Sequence, residues 1–386
     1  MLLQIAYWGM LKVALPIFPH VHTLFHTSEH AIHYLLSLSF ILSGLSAIVW
    51  GPFIEYKTNK YLIFMIGSLG TISLIILSFS ESFWVFGLFY LISCILMNSL
   101  SVYSRAFPVL YTLEPTTAKK SLMLRLCGGY NAAFIAPLLG GFIAYYWGWH
   151  YIFLVIIFWL ILLYCLSFFI ENRAFEQEKK STFWLNFKQM CLHLKNKNFV
   201  RHLVILCCGN AVTQSSVISM PFWLERAYSI PVHQIAFYLF PLLLPGMRLP
   251  LLPAYIAKKV SEKHRVMLYM TLFILGGILP FGIMSIHQPP PWIWVIPGVL
   301  TNTAVVSLSS FVSYNALVEI KSSHNSASSL LSISSYLSGG IAMLLTLRIN
   351  INDFYLEGIF ISCLAIVMCY CFVAIQQKDR ACGRGE

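Results

Sequence analysis

ENRAFEQEKKSTFWLNFKQMCLHLKNKNFV, residues Glu171 to Val200, is the one long polar stretch in a chain of 386 residues. On both sides of it the sequence runs apolar for about 20 residues at a time, long enough for a helix to cross a hydrocarbon core of roughly 30 Å. Upstream the runs fall at residues 1–19, 34–54, 61–79, 83–105, 122–145 and 149–170, and downstream at 201–224, 234–256, 266–286, 292–314, 326–348 and 355–376. The polar stretch therefore separates six predicted spans from six. That sets a plan of an N-terminal half at 1–170, a linker at 171–200, a C-terminal half at 201–376 and a tail at 377–386. The second part of the linker is amphipathic and suits the inner membrane surface.

Composition agrees with this reading. The chain is 58% hydrophobic and 10% charged, with a mean hydropathy of +0.75, whereas soluble domains average about 45–50% apolar and about 25% charged. An all-α membrane protein follows, since a β-barrel would show short alternating segments instead. The ten cysteines are scattered without a CxxC pair or a zinc-like spacing. No HExxH, GxSxG, P-loop or cofactor fingerprint is present, so neither an enzyme nor a cofactor is expected. The first span starts at Met1 without a basic leader or an A-x-A site and reads as a retained helix.

The net charge of +11 is one-sided. With a cytoplasmic N-terminus, 21 of the 25 Lys and Arg fall inside, Arg105 and Arg125 among them, and only Arg226 and Arg348 fall outside. The positive-inside rule then places both termini in the cytoplasm. The expected partners are the bilayer and a small solute rather than nucleic acid.

Local motifs add a resemblance. Leu15-Pro16-Ile17-Phe18-Pro19 precedes Ser37-Leu38-Ser39 and Trp50-Gly51-Pro52. Ala136-Pro137-Leu138-Leu139-Gly140-Gly141 precedes Gly148-Trp149-His150-Tyr151-Ile152-Phe153, and the second half carries Ser219-Met220-Pro221-Phe222 and Ser326-Ala327-Ser328-Ser329-Leu330. Together these resemble the bicyclomycin/chloramphenicol-resistance (Bcr/CflA) branch of the major facilitator drug:proton antiporters. The resemblance implies the major facilitator fold, with twelve transmembrane helices in two pseudo-symmetric six-helix halves. It also implies a monomeric, proton-coupled efflux carrier of drug-like molecules in the bacterial inner membrane.

Within that resemblance, Pro137, Gly140 and Gly141 form the fifth-helix packing motif: proline bends the helix and glycine admits a close neighbour. The loop Gly51-Pro52-Phe53-Ile54-Glu55-Tyr56-Lys57-Thr58-Asn59-Lys60 stands where the superfamily has G-x-L-x-D-R-x-G-R-R. Gly51, Glu55, Lys57 and Lys60 remain as a reduced conformational latch, and the fourth-helix arginine-glutamine-glycine motif has no equivalent.

An ionisable side chain at mid-membrane costs at least about 2.5–3.5 kcal/mol and is a functional candidate by default. Lys12 lies in span one, on a face shared with Gln4 and Trp8, and Arg248 lies in span eight inside Leu244-Pro245-Gly246-Met247-Arg248-Leu249-Pro250. No Asp or Glu falls at a span centre. Lys12 stands where the resembled branch carries an aspartate, so the site should favour an anion, such as a polycarboxylate metabolite or a siderophore. Asn131 and Gln214 complete the expected substrate residues Lys12, Arg248, Gln4, Trp8, Asn131 and Gln214. Asn98, Ser101, Arg105, Tyr130, Asn210 and Asn302 are further candidates to line the cavity, the alternative being interhelical hydrogen bonds. His20, His22, His26, His30 and His33 crowd the first outer loop without completing a metal-ligand spacing. A secondary transporter is the leading reading, and a transport-dead sensor or channel is the alternative from another class.

Overall fold

The computed structural model describes residues 2–14, 18, 21, 24–56, 60–111, 115–167, 182–230, 238, 241–242, 244, 262–286, 289–320, 324–348 and 354–382. Among them, twelve α-helices follow in order: α1 (Leu2–Val13), α2 (Glu29–Tyr56), α3 (Lys60–Ser78), α4 (Phe83–Tyr111), α5 (Pro115–Tyr146) and α6 (His150–Ser167) come first. After them come α7 (Phe183–His193), α8 (Lys197–Tyr228), α9 (Glu262–Ile283), α10 (Val295–Val318), α11 (His324–Arg348) and α12 (Phe354–Cys382). Seven stretches, within α2, α4, α5, α9, α10, α11 and α12, are long and apolar enough to cross a membrane. Eleven of the twelve helices coincide with predicted spans, and the predicted span 234–256 lies almost wholly outside the described residues.

Several boundaries differ from the sequence reading by four to seven residues. Helix α1 is described to Val13 rather than to residue 19, and residues 15–17 lie outside the described residues. Helix α8 starts at Lys197, four residues before the predicted span. The Asn196 side chain caps it there by accepting from the backbone N–H of Asn198 at 3.0 Å and of Phe199 at 3.4 Å.

The buried apolar residues form two large clusters. One joins Tyr7, Met10, Phe18, Phe86, Tyr90 and Phe153 of the first half, with Tyr336 and Met343 reaching in from α11. The other joins Phe199, Val212, Phe273, Val305, Leu331 and Met368 of the second half. Helix α2 packs along α11, α1 along α5, and α8 against α11 and α10.

Helix α11 shows how a serine-rich sequence serves a membrane helix. The hydroxyls of Ser329, Ser332, Ser334, Ser335 and Ser338 return to carbonyls three or four residues back in their own helix. That satisfies them largely within the helix and leaves a surface small enough for close packing. A Cβ at Gly340 would lie 2.9 Å from the Ser37 carbonyl oxygen, and one at Gly44 would lie 2.8 Å from the Leu337 nitrogen, so α2 and α11 approach almost backbone to backbone.

Gly148, in the Gly-Trp-His stretch, ends α5. Its φ of +100° suits glycine, and its N–H donates to the carbonyls of Ile143 and Ala144 at 3.2 Å. His150 then pairs with the Ser78 carbonyl while the Ser78 hydroxyl donates to the His150 carbonyl at 2.9 Å, tying α3 to α6. The linker helix α7 turns Asn186 and Met190 inward and leaves Trp184 exposed. Asn186 donates to the Pro52 carbonyl of α2 at 3.3 Å, and Met190 sulfur accepts from Ser329 of α11 at 3.3 Å. The linker thus braces the ends of two helices from different halves.

Candidate functional site

Helices α1, α4 and α5 of the first half and α8, α10 and α11 of the second converge on a cavity of about 500 Å³, open mouth included. Gln4, Trp8, Arg105, Arg125 and Gly129 line one wall, and Leu206, Asn210, Ser309, Ser313, Ser335 and Tyr336 line the other. Chain direction puts these residues toward the end of the bundle where α1 begins. Among the described residues the lining holds two guanidinium groups and no carboxylate.

Arg125 is 1% exposed and is held on two sides. Its Nε donates to Ser104 Oγ and its Nη2 to Gln4 Oε1, both at 2.9 Å, and Ser104 Oγ lies 3.0 Å from the same Gln4 oxygen. These bonds join α1, α4 and α5 at one point. Gly129, one turn along α5, makes room for α1: a Cβ there would lie 3.0 Å from Gln4 Cγ and 3.1 Å from Trp8 Cδ1.

Arg105 differs. It is 6% exposed, yet its Nε and Nη1 are buried without a hydrogen-bond partner. Buried polar groups in proteins are paired in the large majority of cases, so an unsatisfied guanidinium facing a cavity calls for a physical reason.

Lys12 lies one turn beyond Trp8, past the cavity wall. It is 3% exposed, and its Nζ donates to Gln214 Oε1 at 3.2 Å, with the Trp8 and Phe40 ring centroids 5.7 and 5.5 Å away. The sequence reading left this ammonium without a partner. The structure supplies a neutral oxygen from the other half and two aromatic faces, an arrangement that holds a cation in low dielectric. Lys12 and Gln214 thus meet each other, whereas Gln4 and Trp8 line the cavity.

Asn131 donates to the Cys127 carbonyl of its own helix at 2.8 Å and is not among the lining residues. Asn98 and Asn302 bond backbone carbonyls of neighbouring segments, and the Ser101 hydroxyl meets the Tyr336 hydroxyl at 3.0 Å across the halves. Arg248 and Lys57 lie outside the described residues, as do the side chains of Glu55 and Lys60. Gly51 is buried at the end of α2 beside Pro52. Pro137 is half-buried within a continuous α5, and Gly141 is half-buried beside it. At Gly140 a Cβ would overlap the Val13 carbonyl oxygen, so α5 touches α1 directly. His26 and His30 are exposed, while His33 is 6% exposed and faces the opposite way.

Sequence reasoning counted Arg105 and Arg125 with the inner-side basic residues and held Arg105 also as a candidate lining residue, but it did not place Arg125 at the cavity. The missed signal was local: Arg125 sits in Leu124-Arg125-Leu126-Cys127-Gly128-Gly129, with no other charge beside it.

The Lys12 contact carries its own prediction. Lys12→Met and Gln214→Leu should each lower the melting temperature of the purified protein, and the double variant should lose less than the two added. The coupling should be about 1 kcal/mol, as for other hydrogen bonds inside a bilayer. Strictly additive losses would show that the pair does not interact.

Residues 1–345 match the family model of the Major Facilitator Superfamily. Among curated proteins, none matches the sequence. Solved structures share the fold. The proton:xylose symporter XylE bound to 6-bromo-6-deoxy-D-glucose superposes with a TM-score of 0.73 at 12% identity, over 97% of this chain and 93% of that one. The human organic anion transporter MFSD10 (TETRAN) does so with a TM-score of 0.73 at 12% identity, over 97% of this chain and 96% of that one. With a family match over residues 1–345 and two helical clusters flanking a cavity, this chain belongs to the Major Facilitator Superfamily.

Proposed function

We propose that the protein is an alternating-access carrier of a small organic anion, such as a polycarboxylate metabolite or a siderophore. The observation that carries this reading is the cavity wall, which among the described residues presents Arg105 and Arg125 and no carboxylate. Two buried cations repel a cationic solute and are relieved by an anionic one. The structural neighbours include a sugar symporter and an organic anion transporter, so the shared fold leaves the solute to the residues of the site. The one-sided basic loops support an orientation with both termini in the cytoplasm of a bacterial inner membrane, and the cavity then opens toward the cytoplasm.

A second reading is proton-driven efflux of drug-like molecules, favoured by the Bcr/CflA-like motifs and by the glycine contact of Gly140 with α1. Counterflow in proteoliposomes separates the two. Vesicles preloaded with unlabelled citrate or gluconate should take up the labelled anion against its gradient, and ethidium should not exchange. Exchange of ethidium alone would favour the efflux reading, and absence of any exchange would indicate a channel or a sensor.

A further inference from the structure

We infer that Arg105 is the docking point for the anionic group of the solute, and that the wall facing it selects a hydroxylated molecule. This deepens the anion-carrier reading and rests on it. The two arginines of the cavity are not equivalent. Arg125 is tied to Gln4 and Ser104 by two charge-assisted bonds, and is part of the scaffold. Arg105 has two guanidinium nitrogens buried and unbonded in a side chain that is 6% exposed and lines the cavity. A guanidinium cannot lose its proton to escape the cost of burial, as a lysine or histidine can. Its donors are matched by a carboxylate or a phosphate oxygen. Among the described residues no carboxylate lines the cavity, so an arriving anion meets Arg105 without displacing one of them.

The opposite wall carries Asn210, Ser309, Ser313 and Ser335. Ser309 and Ser335 donate to carbonyls of their own helices, and the Asn210 amide nitrogen does the same. Their oxygens therefore face the solute as acceptors, which suits hydroxyl donors on its body. A wall of this kind, set in a bilayer protein, discriminates against a bare alkyl chain, because acceptors that lose their water to such a chain gain nothing in exchange.

The probes are gluconate, hexanoate and glucose, which share six carbons and separate charge from hydroxylation. Each is titrated against the purified full-length protein and the melting temperature is followed, since a ligand that binds the folded state raises it. Wild-type protein should be stabilised by gluconate at concentrations at least tenfold lower than by hexanoate or glucose. Arg105→Gln should require at least tenfold more gluconate for the same shift, and Arg105→Lys should recover part of the response. Without ligand, Arg105→Gln should melt at or above the wild-type temperature, because it removes a buried charge two of whose guanidinium nitrogens are unbonded among the described residues. A lower melting point without ligand would make Arg105 structural and overturn the proposal.

Gluconate binding equally well to wild type and to Arg105→Gln would overturn the docking role while leaving an anion carrier intact. Glucose matching gluconate in the wild type would defeat the anion reading itself. Hexanoate matching gluconate would remove the hydroxyl-selective wall, and a wild type indifferent to gluconate would overturn the proposal as a whole.

Discussion

Gly140→Leu should leave no transport-competent protein. Even a methyl group at this position would overlap the carbonyl oxygen of Val13, so the clash is with backbone and no rotamer change relieves it. The contact joins α5 to α1, and both helices line the cavity. A wider side chain forces the two apart and moves Gln4 and Trp8 away from Arg125 and Gly129. Membrane helices associate largely through close van der Waals packing, which small residues permit and a leucine here prevents. Overpacking of a tight contact commonly costs about 1–3 kcal/mol, and a backbone clash lies at the upper end or beyond. Size-exclusion profiles and solute counterflow give the measurement: the folded yield should collapse, or the remaining folded protein should be inactive. Wild-type counterflow by a monodisperse Gly140→Leu protein would mean that α1 and α5 do not meet as described.

Arg125→Leu should behave as the opposite of Arg105→Gln. Leucine removes the bonds to Ser104 and Gln4 and unties α5 from α1 and α4 at this buried point. Hydrogen bonds to a charged group contribute about 1.5–3 kcal/mol each. The variant should melt well below wild type and lose transport. Arg125→Lys should recover only part of the loss, because an ammonium does not reproduce the planar donor set that reaches Ser104 and Gln4 together. Melting curves of the two arginine variants side by side decide the matter, and equal shifts for Arg105→Gln and Arg125→Leu would erase the division of labour between them.

Much of the fold was legible because the bilayer imposes a length on each helix and a bias on each loop. Predicted runs such as 83–105 and 326–348 coincide with α4 and α11 because an apolar segment of that length has one low-energy solution in lipid. The Gly140 contact was legible for a related reason: a small-residue motif beside a proline has few uses within a membrane helix other than close packing. The site was legible in part. Gln4 and Trp8 were found by their helical spacing with Lys12, and both line the cavity.

The sequence by itself determined the number, length and order of the apolar helices, the linker between two sets of six and the shortage of acidic groups within the spans. These are local quantities, set by hydrophobic length and by charge along the chain. Only the tertiary structure decided which cations remain without a partner. Lys12 acquired Gln214 from 202 positions away, and Arg125 acquired Gln4 from 121 positions away. Arg105 gained no partner for its Nε and Nη1. Pairing depends on which helices cross at which depth, and that follows from contacts between faces far apart in sequence, such as Gly140 on Val13 and Gly340 on Ser37. Helical periodicity assigns a residue to a face of its own helix, and it carries no information about the face that helix will meet.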